Sequence, residues 1–505
     1  MSAPGAPAGP SAVGVGLRRT AVSNLGLATL WKGLSWVVNW AVAIVLARVM
    51  PREDFGLFAI ATVLTGLFAR FSEMGIATAV VQRQRDDPAT LETAFTLRLV
   101  ALLAAGVLLA AAAPLWASFY GRALLAPVIW SVLLPTVASG LFFIPSVRLY
   151  RDYRHGRTRF AQFAGEAAKG AGVLVAALLG ARVWSFVVGY VAGSLVSWAC
   201  YVAFSPWKPR LRLDPEVARE ILAFGKFVLV ADLLTFAVGN VDKAIVGKLL
   251  GSEALGDYGQ AYVYGSWAVA EVAQLLSETL YPAFALRRGD AVAQRKGWRA
   301  TLRATGVVVF PLTLGLASVA PDFVRGVLNP AGEPGKWAGA IVPLRILCLF
   351  ALVLSFERVS RPVVFSSGRP RAVTVGQGAM LLVQVAGLLL AVPAFGLPGA
   401  AGACVLAAAA ATAVVVRAAA RFAAVSAREI LADLSGPFAA AAAMTGTVLL
   451  AGSVLGATLG PLGRLGAEVA VGVLAYVLAG RLLMPGIQRE ILGEVRLLLR
   501  PPAPR

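Results

Sequence analysis

The stretch LARVMPREDFGLFAIATVLTGLFARFSEMGIATAVVQRQRD, residues 46–86, decides how the chain is read. It ends one apolar run, breaks at Met50-Pro51, and opens a second run from about Phe55 to Val81 that is long enough to cross a bilayer. Inside that second run stand Arg70 and Glu73, three residues apart. A charge at the centre of a membrane helix costs about 2.5–3.5 kcal/mol on insertion scales. A chain that keeps two of them needs a reason, such as a local pair, water or a charged ligand.

Composition points the same way. Of 505 residues, 58% are hydrophobic and 14% charged, with mean hydropathy +0.76. A soluble chain of this length would carry far more polar surface, so the class is an all-α polytopic membrane protein. The net charge of +20 would suggest nucleic acid in a soluble protein. Here it fits loops that hold Lys and Arg on the cytosolic side, and no nucleic-acid partner is expected. Cys200, Cys348 and Cys404 are isolated within apolar segments, and His155 is the single histidine. That pattern supports neither a disulfide framework nor a zinc site, and no metal or other cofactor is expected. The Ala/Pro/Gly-rich start, MSAPGAPAGPSAVGVGL, reads as a flexible tail. The apolar run behind it is too long for the core of a cleaved signal peptide.

About fourteen transmembrane helices are expected, near 22–47, 54–81, 90–113, 125–147, 160–180, 183–204, 219–247, 255–285, 300–319, 338–361, 371–393, 398–420, 436–457 and 463–484. Lys and Arg concentrate in alternate connections along the whole chain, which predicts an even helix number with both termini cytosolic. The densest basic connection is RLYRDYRHGRTRF, 148–160. It reads as an interfacial anchor on anionic lipid headgroups, or as a dock for an anionic substrate. The expected organisation is a tail (1–20), a first lobe (21–204), a linker (205–218), a second lobe (219–424), a further helix pair (425–484) and a cytosolic tail (485–505).

An internal repeat supports two lobes. LARVMPREDFGLFA (46–59) aligns with VGKLLGSEALGDYG (246–259) at an offset of 200 residues, matching Arg48 with Lys248, Glu53 with Glu253, Gly56 with Gly256 and Phe58 with Tyr258. Repeated halves are a common plan of secondary transporters.

These residues carry a resemblance. The 46–86 run, with its Arg48-to-Glu53 turn, Gly56-Leu57-Phe58, Glu73-Met74-Gly75 and Val81-Gln82-Arg83, resembles the first helical hairpin of the Wzx and WzxC-like oligosaccharide flippases of the multidrug/oligosaccharidyl-lipid/polysaccharide exporter superfamily. VDKAIVGKLLGSEALGDYGQAY (241–262) resembles the matching hairpin of the second half, and SETLYPAFA (277–285) the close of the eighth helix. The resemblance implies two six-helix lobes around a central cavity, with two C-terminal helices alongside. It implies movement of a polyprenyl-diphosphate-linked oligosaccharide from inner to outer leaflet of a bacterial plasma membrane. Membrane lipids, a polysaccharide polymerase and glycosyltransferases would be the partners.

The family's cavity is basic, whereas this chain also sets many acids in its spans: Glu73, Glu166, Asp232, Asp242, Glu271, Glu278 and Glu357. Arg70 with Glu73, and Glu166 with Lys169, have the i, i+3 spacing of local ion pairs. Lys32 has no acid three or four residues away, and neither has Arg345. Lys32, Arg70 and Arg345 are therefore the candidate diphosphate ligands, with snorkelling to the interface the plainer reading of Arg345. Asp232, Thr235, Gly239 and Asp242 form one polar stripe, and Glu271, Gln274 and Glu278 another. They read either as a hydrated cavity able to take sugar hydroxyls or a coupling ion, or as helix–helix hydrogen bonds. Lys243 is expected to pair with an acid outside its helix.

No Walker sequence and no large external loop with catalytic groups is present, so the reading is a transporter without chemistry of its own. A multidrug cation antiporter of the same superfamily, a lipid II flippase and a membrane-embedded glycan polymerase are the competing readings.

Overall fold

The computed structural model describes residues 12–83, 87–141, 143–151, 155–205, 207–208, 210–267, 269, 291–330, 332–333, 335–368, 370–455 and 459–484. The described residues form helices and connections, with no strand. In chain order the helices are α1 (Ala12–Val49), α2 (Arg52–Glu73), α3 (Ile76–Arg83), α4 (Pro88–Tyr120), α5 (Leu125–Leu141), α6 (Phe143–Arg151), α7 (His155–Leu178), α8 (Trp184–Phe204), α9 (Pro215–Tyr262), α10 (Ala291–Phe323), α11 (Ile341–Ser366), α12 (Arg371–Ala423), α13 (Ala427–Leu455) and α14 (Pro461–Leu483). Ten stretches among them are long and apolar enough to cross a membrane.

Two features relate these stretches to the fourteen crossings expected. First, α9 and α12, of 48 and 53 residues, each contain one residue off the helical path, Gly251 (φ 86°) and Gly396 (φ 60°). Both are hairpins. Tyr258 donates to Asp242 at 2.8 Å across sixteen residues, and Gly387 lies against Ala403. A straight helix would separate residues sixteen apart by about 24 Å. Glycine tolerates the positive φ that such a reversal demands. Second, the segment expected at 125–147 is divided between α5 and α6, and the one expected at 160–180 starts in polar sequence at His155. The expected span 255–285 runs largely outside the described residues.

The break after α2 explains a motif. Met74 (φ 45°) and Gly75 (φ 65°) both adopt left-handed backbone, and Met74 caps α2 by returning its N–H to the Arg70 carbonyl. A Cβ on Gly75 would lie 2.6 Å from Cβ of Val228 in α9. Glu73-Met74-Gly75 is thus a turn that only glycine can close against its neighbour. Two other helix starts carry ordinary caps. Asp87 accepts from the Thr90 N–H at 3.0 Å to start α4, and Ser426 with Glu429 forms a reciprocal box at 3.0 and 3.3 Å to start α13.

The chain divides into two compact units, Met1–Leu233 and Leu234–Arg505, with the boundary inside α9. In the first, α1 packs on α7, α7 on α8, α8 on α5, and α5 on α4 and α2. Helices α7 and α8 approach closely where Gly193 lies against the Gly165 carbonyl. In the second, α10 packs on α11, α13 and α14, and the two arms of α12 pack on α11.

Prolines within the helices create a further demand. Each removes the N–H that would bond the carbonyl four residues earlier. Pro114, Pro311 and Pro321 therefore release the carbonyls of Ala110, Val307 and Ala317. Each is met from another helix: Ala110 by the Trp130 indole N–H at 3.0 Å, Val307 by the Tyr476 hydroxyl at 2.7 Å, and Ala317 by Arg345 Nε at 3.1 Å. In lipid an unsatisfied carbonyl costs several kcal/mol, so these bonds fix which helices lie side by side.

Tyr476→Phe is expected to destabilise the detergent-purified protein by about 1–3 kcal/mol. Adding Pro311→Ala returns a helical partner to Val307, and the loss should then shrink towards zero in chemical unfolding. An equal loss in both backgrounds would show that the Tyr476 bond does not serve this carbonyl.

Candidate functional site: buried charges of the two units

Among the described residues, three polar groups include candidates expected from the sequence, two in the first unit and one in the second. The first is built on α1, α7 and α8. Trp31 packs against Phe160 and Phe163, with ring centroids 5.1 and 5.0 Å away, which sets one face of α1 on α7. The next residue, Lys32, holds its Nζ 5.7 Å from the Trp36 ring. Two turns on, Asn39 donates to Glu166 at 3.2 Å. Lys169 lies 4.2 Å from the ring of Tyr190 on α8. The expected Glu166–Lys169 ion pair is not made. Asn39 and Tyr190 on neighbouring helices outcompete the i, i+3 geometry, with the lysine held by a ring quadrupole.

The second group joins α2 to α4. Arg70 and Glu73 do pair, at 3.7 Å, with side chains 48% and 39% exposed. A pair this open contributes little to stability, so it neither explains nor requires the burial of charge. Beside it Ser72 is buried and accepts from Arg98 at 3.1 Å. Arg98 also lies over Phe143 at 5.7 Å, and its Nε is buried without a hydrogen-bond partner among the described residues. Arg98, inside the span expected at 90–113, is not among the candidates that the sequence offers. Helices α1 and α2, though joined at Met50-Pro51, do not pack along their length. Lys32 and Arg70 each stand about 27 Å along their own helices from that turn. No contact brings the two together.

The third group is in the second unit and is closed to solvent. Asp242, Tyr258, Gln384 and Cys404 are all at most 2% exposed. The Tyr258 hydroxyl donates to Asp242 at 2.8 Å and lies 3.3 Å from Cys404 Sγ, which Gln384 Nε2 reaches at 3.6 Å. Tyr258 is the repeat partner of Phe58, which in the first unit stacks on Phe186 at 4.4 Å. One repeat position thus serves an apolar stack in one half and a carboxylate in the other. Asp232, by contrast, is half-buried and makes no bond among the described residues, so the stripe expected on α9 is divided into two environments. Lys243 bonds Asn240 at 3.1 Å and the Gly239 carbonyl at 3.3 Å rather than an acid. Glu357 is fully buried and paired with Arg361 at 2.8 Å. Arg345 is exposed, and its Nε is engaged with Ala317. Glu271, Gln274 and Glu278, and the 277–285 segment, lie outside the described residues. In the basic connection, Arg157 lies 5.9 Å from the Phe204 ring, while residues 152–154 are outside the described set.

This arrangement is a polytopic helical membrane protein with cations and acids carried inside its helices. The fold resembles that of a solved lipid II flippase, MurJ, in its inward closed conformation: TM-score 0.69, 12% identity, covering 92% of this chain and 99% of that one. It also resembles an inward-facing multidrug resistance MATE family transporter, with TM-score 0.60, 15% identity, and 80% and 98% covered. A family model described as "Polysaccharide biosynthesis protein" matches residues 45–331, and the chain belongs to that family. Among curated relatives, the chain is 25% identical over 331 residues to the teichuronic acid biosynthesis protein TuaB of Bacillus subtilis, covering 63% of this chain. It is 24% identical over 336 residues to the lipopolysaccharide biosynthesis protein WzxC of Escherichia coli, covering 64% of this chain. The matches span 66% of the length of each of those two relatives.

Asp242→Ala is expected to cost about 1–3 kcal/mol, because it strips a buried hydroxyl of its acceptor. Asp232→Ala should change stability by no more than about 0.5 kcal/mol. Thermal unfolding of both variants in detergent checks the contrast, and equal effects would contradict the sealed third group.

Proposed function

We propose that the protein moves a lipid-linked oligosaccharide, carried on a polyprenyl diphosphate, from the inner to the outer leaflet of a bacterial plasma membrane for cell-surface polysaccharide synthesis. The observation that carries this reading is a set of cations, Lys32, Arg70 and Arg98, held inside the helices of the first unit of a chain of this family. Intramembrane ionisable groups mark substrate and ion pathways. A diphosphate is a ligand that suits them. Arg70 is half-exposed and Arg98 has an unused N–H, so both retain donors for phosphate oxygens. Lys32 and Arg70 stand on helices that diverge from one turn, and the headgroup would occupy the space their divergence leaves. Glu166, Lys169 and Asp232 offer hydrogen-bonding groups to sugar hydroxyls or to a coupling cation. Arg345 and Asp242 are the weaker candidates, being already committed to Ala317 and Tyr258.

Transport would proceed by alternating access, with residues 21–204 and 219–424 as the two lobes and 425–484 as an added helix pair. Both termini would be cytosolic, and a polymerase and glycosyltransferases would act on the same glycan. No covalent step by the chain is required. The names of TuaB and WzxC support a cell-surface glycan as cargo.

The test is reconstitution in liposomes and measurement of leaflet-to-leaflet movement of a labelled polyprenyl-diphosphate oligosaccharide. Arg70→Ala is expected to slow it by roughly 10- to 100-fold, the loss of one charge-assisted hydrogen bond. No movement by the wild type, together with proton-coupled efflux of a cationic dye, would replace this reading with a multidrug antiporter.

A further inference from the structure

The second unit carries a groove of about 500 Å³ whose walls come from α11, α12 and α13. Its floor is the second arm of α12, where Ala409, Ala413, Val416 and Ala420 recur every three or four residues and keep the helix face flat. Val353 of α11 stands on one side and Ile430 of α13 on the other. Only two lining side chains are polar. Thr412 spends its hydroxyl on the Val353 carbonyl at 3.1 Å, which leaves Arg417 as the one polar group facing the groove.

Depth and charge then narrow the occupant. Arg417 lies twenty-one residues beyond the Gly396 reversal, about 31 Å along the helix, while Ala409 lies about 12 Å short of it. With a hydrocarbon core about 30 Å thick, the guanidinium sits at headgroup level and the groove descends into the acyl region. Arg421 and Arg428 stand near the same mouth, and all three arginines are exposed. None makes an ion pair among the described residues. The neighbouring acids are already taken: Arg295 and Arg299 hold Glu429 at 2.6 and 3.0 Å, and Arg299 and Arg303 hold Asp433 at 2.7 and 3.9 Å.

We propose that this groove binds an anionic phospholipid of the bilayer, one acyl chain lying along α12 between Val353 and Ile430 and the phosphate held by Arg417, Arg421 and Arg428. A glycan-bearing lipid is disfavoured because Arg417 is committed to the phosphate and the lining holds no further unspent polar group to read a sugar. The proposal does not depend on the transport reading.

The experiment is native mass spectrometry of the full-length protein in detergent, titrated with phosphatidylglycerol or phosphatidylcholine of matched chains. Wild type should retain phosphatidylglycerol in clear excess over phosphatidylcholine. Arg417→Gln/Arg421→Gln/Arg428→Gln should lose that excess, at about fivefold in affinity per arginine. Ala413→Phe, which fills the groove and leaves the charges, should also lose it. Equal retention of the two lipids, or an undiminished excess in either variant, overturns the site. Displacement of phosphatidylglycerol by a polyprenyl diphosphate at equal concentration also overturns it, assigning the groove to the cargo.

Discussion

The carbonyl oxygens of Ala110, Val307 and Ala317 lose their helical partners to prolines four residues on, and side chains from other helices take their place. Water cannot make good the loss inside a bilayer. The bonds therefore do more than decorate the packing: α5 must lie where Trp130 can reach α4, and α10 must lie within reach of both α14 and α11. Helix α10 carries two prolines and is supported on two sides. Much of the second unit is arranged around keeping that one helix continuous.

Charge obeys the same rule by different means. At one end of α10, three arginines spaced one turn apart meet two acids spaced one turn apart on α13, and the ladder keeps one positive charge in excess. Near the other end Arg464 joins Asp322 at 3.3 Å and Glu468 at 3.1 Å. Asp242 is sealed among Tyr258, Cys404 and Gln384. The first unit differs. There Lys169 lies over a tyrosine ring, Arg98 is held by a serine and Arg70 keeps one open ion pair.

The class and the hairpin of residues 46–86 were legible because hydropathy and turn residues are local signals. Gly251 was inside the recognised repeat, and the reversal there turns on that one glycine. Spacing along one helix was a poorer guide. It found Arg70–Glu73 and failed for Glu166–Lys169, because Asn39 and Tyr190 are distant in sequence and near in space. Arg98, Arg361 and Arg464 lie inside expected spans, but only the folded chain shows which side chains they meet. Tyr258 and Cys404 gave no sign of a carboxylate contact, since a tyrosine and a cysteine in an apolar helix ordinarily read as packing.

The proline bonds also constrain how such a chain can change over generations. Tyr476 without Pro311 is merely a tyrosine at a helix contact, whereas Pro311 without Tyr476 leaves a bare carbonyl in lipid. The tolerable order of acquisition is the hydroxyl first and the proline second, and once both are present the hydroxyl cannot be surrendered alone. The same one-way order holds for Trp130 with Pro114 and Arg345 with Pro321. Positions far apart in the sequence are thereby inherited as pairs, for reasons unrelated to what the protein carries.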